Sequence, residues 1–406
     1  MNFEHCKYRM MGLAQIAHQY KISTERNVLK SRLPVVLLFF TLWSCSNLQK
    51  DNEDPRTISL VIDESELIFD HKDYFISNYS IFFKSVGEDS LILFEGQNSR
   101  EFFLFDTKNT SVSKLMEFES SGPNFLDEEV IDLETYANGY AILSSDYLQF
   151  TDIDGIVNNR IRINNYKNNF SNPSAFKATS IKFISEDSLL IAKKIISSDI
   201  PDVVDRPKQP IFGFFNLKSD SISDLEIFSP KETLVQDIER GYYSNLSEHY
   251  FLIQNDQIIF NYKFSPSIYK VNINSLDVSH FSGASDNFPV KREPFLGKNY
   301  TDYVSLIEHL NHGVYFSEIV FDVRNQLYFR LAKSVEKKEN GSLNLSNYLQ
   351  VFDQEFNLLK EIKLNEMMKL IHGYSNGSIY LVPLSKYQTS ENATRIIKYS
   401  FSKKEE

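Results

Sequence analysis

His309 and His312 stand three residues apart in this 406-residue chain, a spacing that could do chemistry. If "TDYVSLIEHLNHG" (301–313) forms a short helix, capped by Thr301 and ended by Gly313, both imidazoles share a face and could hold a metal or act as acid and base. No third ligand accompanies them, and histidines near a helix C-terminus also suit its dipole, so no metal or other cofactor is implied. A second set mixes charges within polar stretches: Asp202, Asp205 and Arg206, then Glu239 and Arg240, then Lys291 and Arg292. Arg206, Arg240 and Arg292 would give fixed donors for carboxylates and sugar hydroxyls, while Tyr300 and Tyr303 would give flat apolar surfaces for sugar rings. Each of these side chains taken alone reads more simply as a solvated loop residue.

Catalytic signatures are missing. The chain has no G-x-S-x-G elbow, P-loop, H-E-x-x-H, dinucleotide G-x-G-x-x-G or calcium loop. Paired carboxylates for glycosidic cleavage stand roughly 5 to 9 Å apart, a distance that a sequence does not display.

Of the two cysteines, Cys45 has the more informative setting. The apolar run Leu33–Trp43 would make a helix of about 16 Å, roughly half of what spans a bilayer. Lys30 and Arg32 precede it, and Ser44 and Cys45 end it, in the order of a secretory signal peptide. Leu42 to Cys45 resemble the lipobox of bacterial lipoproteins, in which the cysteine thiol takes a diacylglycerol. The following polar residues, with Lys50, Asp51, Glu53 and Asp54, read as a tether and resemble the acidic signal that directs some Gram-negative lipoproteins to the outer membrane surface. The organisation expected is a signal over 1–44, a tether over 45–56 and a folded domain over 57–406. The long stretch before the apolar run suggests translation from Val28 or Leu29, which leaves "VLKSR" as an ordinary basic head.

Charge narrows the partners. The whole chain has 43 Lys and Arg against 54 Asp and Glu. Removing 1–44 takes away six basic and two acidic residues and gives 37 − 52 = −15. An acidic chain without a basic stripe is unsuited to nucleic acid or to charge-driven lipid binding, so membrane attachment falls to acyl chains on Cys45. Loss of Cys6 with the signal would also exclude disulfides, thiolate metal sites and a cysteine nucleophile.

From Thr57 onward, short runs of Phe, Tyr, Ile and Val alternate with polar turns. Six turn-and-strand units recur: "VGEDSLILFEG", "YANGYAILSSD", "ISEDSLLIAKK", "IQNDQIIFNYK", "DVRNQLYFRLA" and "YSNGSIYLVPL". Each is followed by a further strand ("EFFLFDT", "YLQFTDI", "IFGFFNL", "SIYKVNI", "YLQVFDQ", "TRIIKYS") and usually by another such as "VSKLMEF" or "LLKEIKL". The pattern predicts an all-β, six-bladed β-propeller with four-stranded blades. The last unit lacks its fourth strand, and "TISLVI" (57–62) is available to close it and cover its edge.

The lipobox-like quartet, these six units and "FESSGPNF" (118–125), with Gly122-Pro123-Asn124 at its centre, resemble a family of bacterial lipoproteins catalogued as a domain of unknown function with a TolB-like propeller. The resemblance covers nearly all of the mature chain. It implies an envelope location and the fold, and no particular activity.

Loop lengths then separate the two faces. Links within the first and last strand pairs of each blade are short turns, whereas the others are long: 120–130, 165–177, 197–210, 229–241, 283–313 and 335–346. Long loops on one side of a rigid scaffold place binding there. The reading is a non-catalytic binding or scaffold lipoprotein that presents Asp205, Arg206, Arg240, Arg292, Tyr300, Tyr303 and His309 to a glycan, peptide or envelope protein. A propeller hydrolase or lyase acting on polysaccharide is the alternative, and it would need two acidic residues converging at the channel mouth.

Overall fold

The structure, a computed structural model, describes residues 60–403 except 72–73, 75, 77–90, 97–99, 127–129, 137–138, 145, 164–175, 196–209, 231–248, 290–304, 306–307, 310, 338–339, 372–373 and 385–391. Its strands form the six blades of a propeller. The first in sequence, β1 (Leu60–Asp70), joins the last blade. Blade one has β2 (Leu91–Glu95), β3 (Glu101–Asp106) and β4 (Ser111–Glu117) among the described residues, with Ile76 bridged to Gly96 at its inner side. Blade two has β5 (Val130–Tyr136), β6 (Gly139–Ser144), β7 (Tyr147–Asp152) and β8 (Val157–Arg162), and blade three has β9 (Phe176–Ser185), β10 (Ser188–Ile195), β11 (Pro210–Asn216) and β12 (Ser221–Phe228). Blade four has β13 (His249–Gln254), β14 (Gln257–Tyr262), β15 (Ile268–Asn272) and β16 (Val278–Phe281). In blade five the inner line is split into β17 (Gly313–Phe316) and β18 (Val320–Asp322), followed by β19 (Leu327–Lys337), β20 (Leu343–Phe352) and β21 (Leu358–Leu364). Blade six has β22 (Met368–Leu370), β23 (Tyr374–Ser375), β24 (Ser378–Pro383), β25 (Ala393–Lys403) and β1.

Closure by the N-terminal strand is as expected in kind and longer in extent. All eleven residues of β1 pair antiparallel with β25, from Leu60 opposite Lys403 to Asp70 opposite Ala393. The sequence pointed to 57–62 because Asp63, Glu64 and Glu66 interrupt the apolar alternation. On an outer strand those acids face solvent or cations, and Glu66 meets Arg395 at 2.9 Å. Behind them Phe69 enters a buried cluster with Phe94, Phe105, Val382 and Ile396, which joins blade six to blade one. Comparable apolar clusters occupy the other junctions, so the blades are held mainly by burial.

One polar device repeats. The residue that ends the third strand, or in blade five the one just after it, accepts backbone N–H bonds from the turn that follows: Asp106 from Lys108 (2.8 Å), Asp152 from Ile156 (2.8 Å), Asn216 from Ser219 (3.0 Å), Asn272 from Asn274 (2.9 Å) and Asp353 from Asn357 (2.7 Å). A carboxylate or amide oxygen there replaces the missing ladder partner and fixes the turn. Each turn then passes through positive φ, at Thr110, Gly155, Asp220, Leu276 and Phe356. Blade six has no such turn, since its fourth strand arrives from the other end of the chain.

First strands of neighbouring blades meet around the axis. Asp132 of β5 accepts from Ser180 Oγ (2.5 Å) and Ile181 N (2.8 Å) of β9, and β18 pairs in parallel with β23. Links between first and second strands are tight, as at Asn255-Asp256, where both residues have positive φ, the requirement of a two-residue type I′ turn. Of the segments read as long loops, 335–346 is instead largely a continuation of the β19–β20 ladder, with Val335 opposite Leu345 and Lys337 opposite Leu343. Its Glu, Lys and Asn content reflects a solvent-facing hairpin, which resembles a loop in composition.

Candidate functional site

Cys45, Asp202, Asp205, Arg206, Glu239, Arg240, Lys291, Arg292, Tyr300 and Tyr303 lie outside the described residues. His309 is described: it is helical and half-buried, with Glu308 exposed beside it. The His312 N–H donates to His309 O at 3.3 Å, and His312 Nδ1 lies 2.6 Å from Glu308 O, a local arrangement that occupies the end of the turn. No group of three or more metal-ligating side chains occurs among the described residues.

The structure brings together a different set, drawn from blades one, four, five and six. Glu95 ends β2 of blade one, Lys263 follows β14 of blade four, Glu318 lies in the break between β17 and β18, Lys333 is on β19 and Lys369 is on β22. Hydrogen bonds fix these positions. Phe316 N donates to Lys263 O (2.9 Å) and Asn261 Nδ2 to Ser317 O (2.9 Å), tying blade four to the inner line of blade five. Ser317 is held twice against Leu331, its N–H donating to the Leu331 carbonyl and its Oγ accepting from the Leu331 N–H, each at 2.9 Å. That doubled tie fixes the break in the inner line where Glu318 lies.

These five charges feel one another. Burial pushes the Lys333 ammonium down to about 8, with Glu318 opposing the shift and Lys369 adding to it. Lys369 is lowered by burial in the same way, with Glu318 and Glu95 opposing the shift and Lys263 adding to it. Both lysines keep intermediate solvent exposure while being densely surrounded, the condition of groups lining a narrow recess. Lys263 also lies 5.1 Å from the centre of the Tyr250 ring, a cation–π contact.

On the opposite face of β19, turned to blade four, is a rigid support. The Arg330 guanidinium, 0% exposed, donates to Gln350 Oε1 (2.8 and 3.1 Å), Pro266 O (2.8 Å) and Gly283 O (2.9 Å), and lies 4.5 Å from the centre of the Phe316 ring. Burial lowers its pKa to about 9, so it remains cationic at neutral pH. The 283–313 excursion is pinned by Phe288, buried edge-on against Phe316 and Tyr348 at centroid distances of 6.0 and 5.5 Å.

The Gly122-Pro123-Asn124 segment is a tie between blades one and two. Asn124 Oδ1 accepts from Val157 N (3.2 Å), Phe125 O accepts from Gln149 Nε2 (3.0 Å), and the Arg160 guanidinium stacks 3.8 Å from the Phe125 ring centre. Gly122 has φ 100°, and a Cβ there would stand 2.8 Å from Glu119 Oε2, so the position requires glycine.

The model of the family DUF4221, a domain of unknown function, matches residues 57–363. The chain belongs to this family. A DUF4221 member from Bacteroides vulgatus ATCC 8482 has 14% identity to it and a TM-score of 0.66, over 86% of this chain and 100% of that one. A candidate exported protein of Bacteroides fragilis NCTC 9343 has 12% identity and a TM-score of 0.53, over 87% and 98%. At such identities the likeness is one of fold. A search of curated proteins gives no significant match.

The sequence carried a signal for the lysines that was not read. In "QLYFRLAKSV", Leu327, Phe329 and Leu331 share the face buried against blade six, and Lys333 continues the same row. A cation in register with an apolar face marks a place where the core opens.

Proposed function

We propose that this DUF4221 protein is a non-catalytic binding propeller of the cell envelope, anchored by lipid on Cys45, that receives a glycan, peptide or envelope protein at the channel mouth on its long-loop face. The observation that carries the reading is the convergence of Glu95, Lys263, Glu318, Lys333 and Lys369 from four blades, with Lys333 half-buried and making no hydrogen bond or ion pair among the described residues. Holding several charges in a dense recess is unfavourable for folding alone, and such sites are where function is concentrated. The candidate exported protein with the same fold is in keeping with an envelope location.

A glycan and peptide screen on the mature protein tests this. Lys333→Gln and Lys369→Gln should weaken whatever binds, and substitution of the turn residue Asn255 should not. A ligand that responds only to the turn change would refute the assignment. For the anchor, Cys45→Ala should accumulate as an unlipidated precursor, and complete detergent partitioning of that variant would contradict lipidation.

One observation favours a polysaccharide lyase or hydrolase as the second reading: Glu318 and Glu95 both act on Lys369, which puts two carboxylates near one amine. Release of new sugar ends from an acidic polysaccharide, abolished by Glu318→Gln, would establish it.

A further inference from the structure

Lys333 stands in the β19 ladder with Asn347 of β20 directly opposite on one side and Tyr315 of β17 on the other. Directly opposed residues project from the same face with Cβ atoms about 5 Å apart. That face is the one turned to blade six, since Leu331 and Leu349, two residues before Lys333 and two after Asn347, both enter the blade five and six cluster.

Asn347 is 2% exposed and its amide orientation is fixed. Nδ2 donates to Glu366 O at 3.0 Å, and a carbonyl can only accept, so Oδ1 must be the other atom. Oδ1 is buried and has no hydrogen-bond partner among the described residues. An unfilled buried acceptor costs roughly 1–3 kcal/mol and calls for a donor. Beside it, Lys333 is a cation without a hydrogen bond or ion pair among the described residues.

We propose that the recess between blades five and six is a subsite for a sugar acid, with the Lys333 ammonium taking the carboxylate and Asn347 Oδ1 accepting from a neighbouring hydroxyl. The inference rests on the reading of the long-loop face as a binding face and names its ligand class. A cation next to an acceptor, neither hydrogen-bonded among the described residues, is complemented by an anion next to a hydroxyl donor, and uronic acids carry that pair on adjoining carbons. Sulfate would satisfy Lys333 and leave Asn347 without a donor. A neutral sugar would satisfy Asn347 and leave the ammonium uncompensated. Glu318 and Lys369 face the same ammonium with opposite signs, Lys263 and Glu95 stand behind Lys369, and together these five side chains carry one net positive charge at neutral pH. Charge-assisted pairing in such a desolvated recess is stronger than at an exposed surface.

Calorimetric titration of the mature protein with glucuronate, galacturonate, glucose and inorganic sulfate tests the subsite. A uronate should bind at least about tenfold more tightly than glucose or sulfate, and Lys333→Gln should remove about tenfold of that affinity. Asn347→Asp, which would pair with Lys333 and repel a carboxylate, should do the same, while Lys114→Gln on the outer strand of blade one should have no effect. Equal binding of glucuronate and glucose, absence of uronate binding, or indifference to Lys333→Gln would each overturn the subsite. A screened ligand that is neutral and indifferent to Lys333→Gln would overturn it too, yet leave the binding role of the long-loop face standing.

Discussion

Replacing Lys333 by Met should make the protein more stable at neutral pH while removing ligand binding. Burial lowers this ammonium from 10.5 to about 8, a difference of about 2.5 pK units. At about 1.4 kcal/mol per unit the folded state carries a penalty of at most about 3.5 kcal/mol for the charged form. Because Lys333 keeps some contact with solvent, about half of that is a sounder expectation, roughly 1.5 kcal/mol. The sign follows from the depressed value. Below about 8 both the folded and unfolded chains hold the proton, and the penalty is fully present. Between about 8 and 10.5 the folded protein releases the proton and the unfolded chain keeps it, so the parent protein gains stability as pH rises. Methionine keeps most of the apolar stem and never carries the charge, so its advantage should be full at pH 7 and vanish above about 10.5. Near two degrees per kcal/mol for a domain of this size, the melting temperature at pH 7 should rise by about 3 °C. Calorimetry of both proteins across this pH range is the assay. A Met variant that is less stable at pH 7, or whose advantage does not change with pH, would refute the argument that Lys333 is held against its own solvation.

Deleting Leu60–Asp70 should strip the outer strand from β25 and separate Phe69 from its cluster, giving aggregation and loss of a single cooperative transition in calorimetry. Deleting residues 46–55 should leave the transition in place, and equal behaviour of the two deletions would contradict closure by β1. Arg330→Ala should cost about 3–5 kcal/mol in denaturant titration, since it leaves Gln350 and the Pro266 and Gly283 carbonyls without their donor and opens a hole beside Phe316. A loss below about 1 kcal/mol would mean that this guanidinium is not what ties blade four to blade five.

Much of the architecture was legible from local chemistry. Alternating strands and polar turns at a regular spacing report which short segments pair with their chain neighbours, and five of the six third strands carry Asp or Asn at or just after their end because each must cap a turn of the same shape. The absence of that residue after "TRIIKYS" agrees with a fourth strand drawn from the opposite end of the chain. The length of β1 was less legible, because an outer strand faces solvent on one side and tolerates Asp63, Glu64 and Glu66 where an inner strand would not.

The recess was not legible in the same way. Glu95, Lys263, Glu318, Lys333 and Lys369 belong to four blades, and nothing in the residues around any one of them names the others. A propeller sets corresponding ends of its blades around one axis, so residues at the same height meet whatever their separation along the chain. Loop charges such as Arg206 and Arg292 stand out in a sequence because they interrupt polar stretches, whereas Lys333 and Lys369 sit within strands among core residues. The sequence by itself determined the strands, their turns and their number, since these depend on period and composition over a few residues. Only the tertiary structure decided which charges share a recess, because desolvation and pairing depend on what lies across the channel rather than on what lies next in the chain.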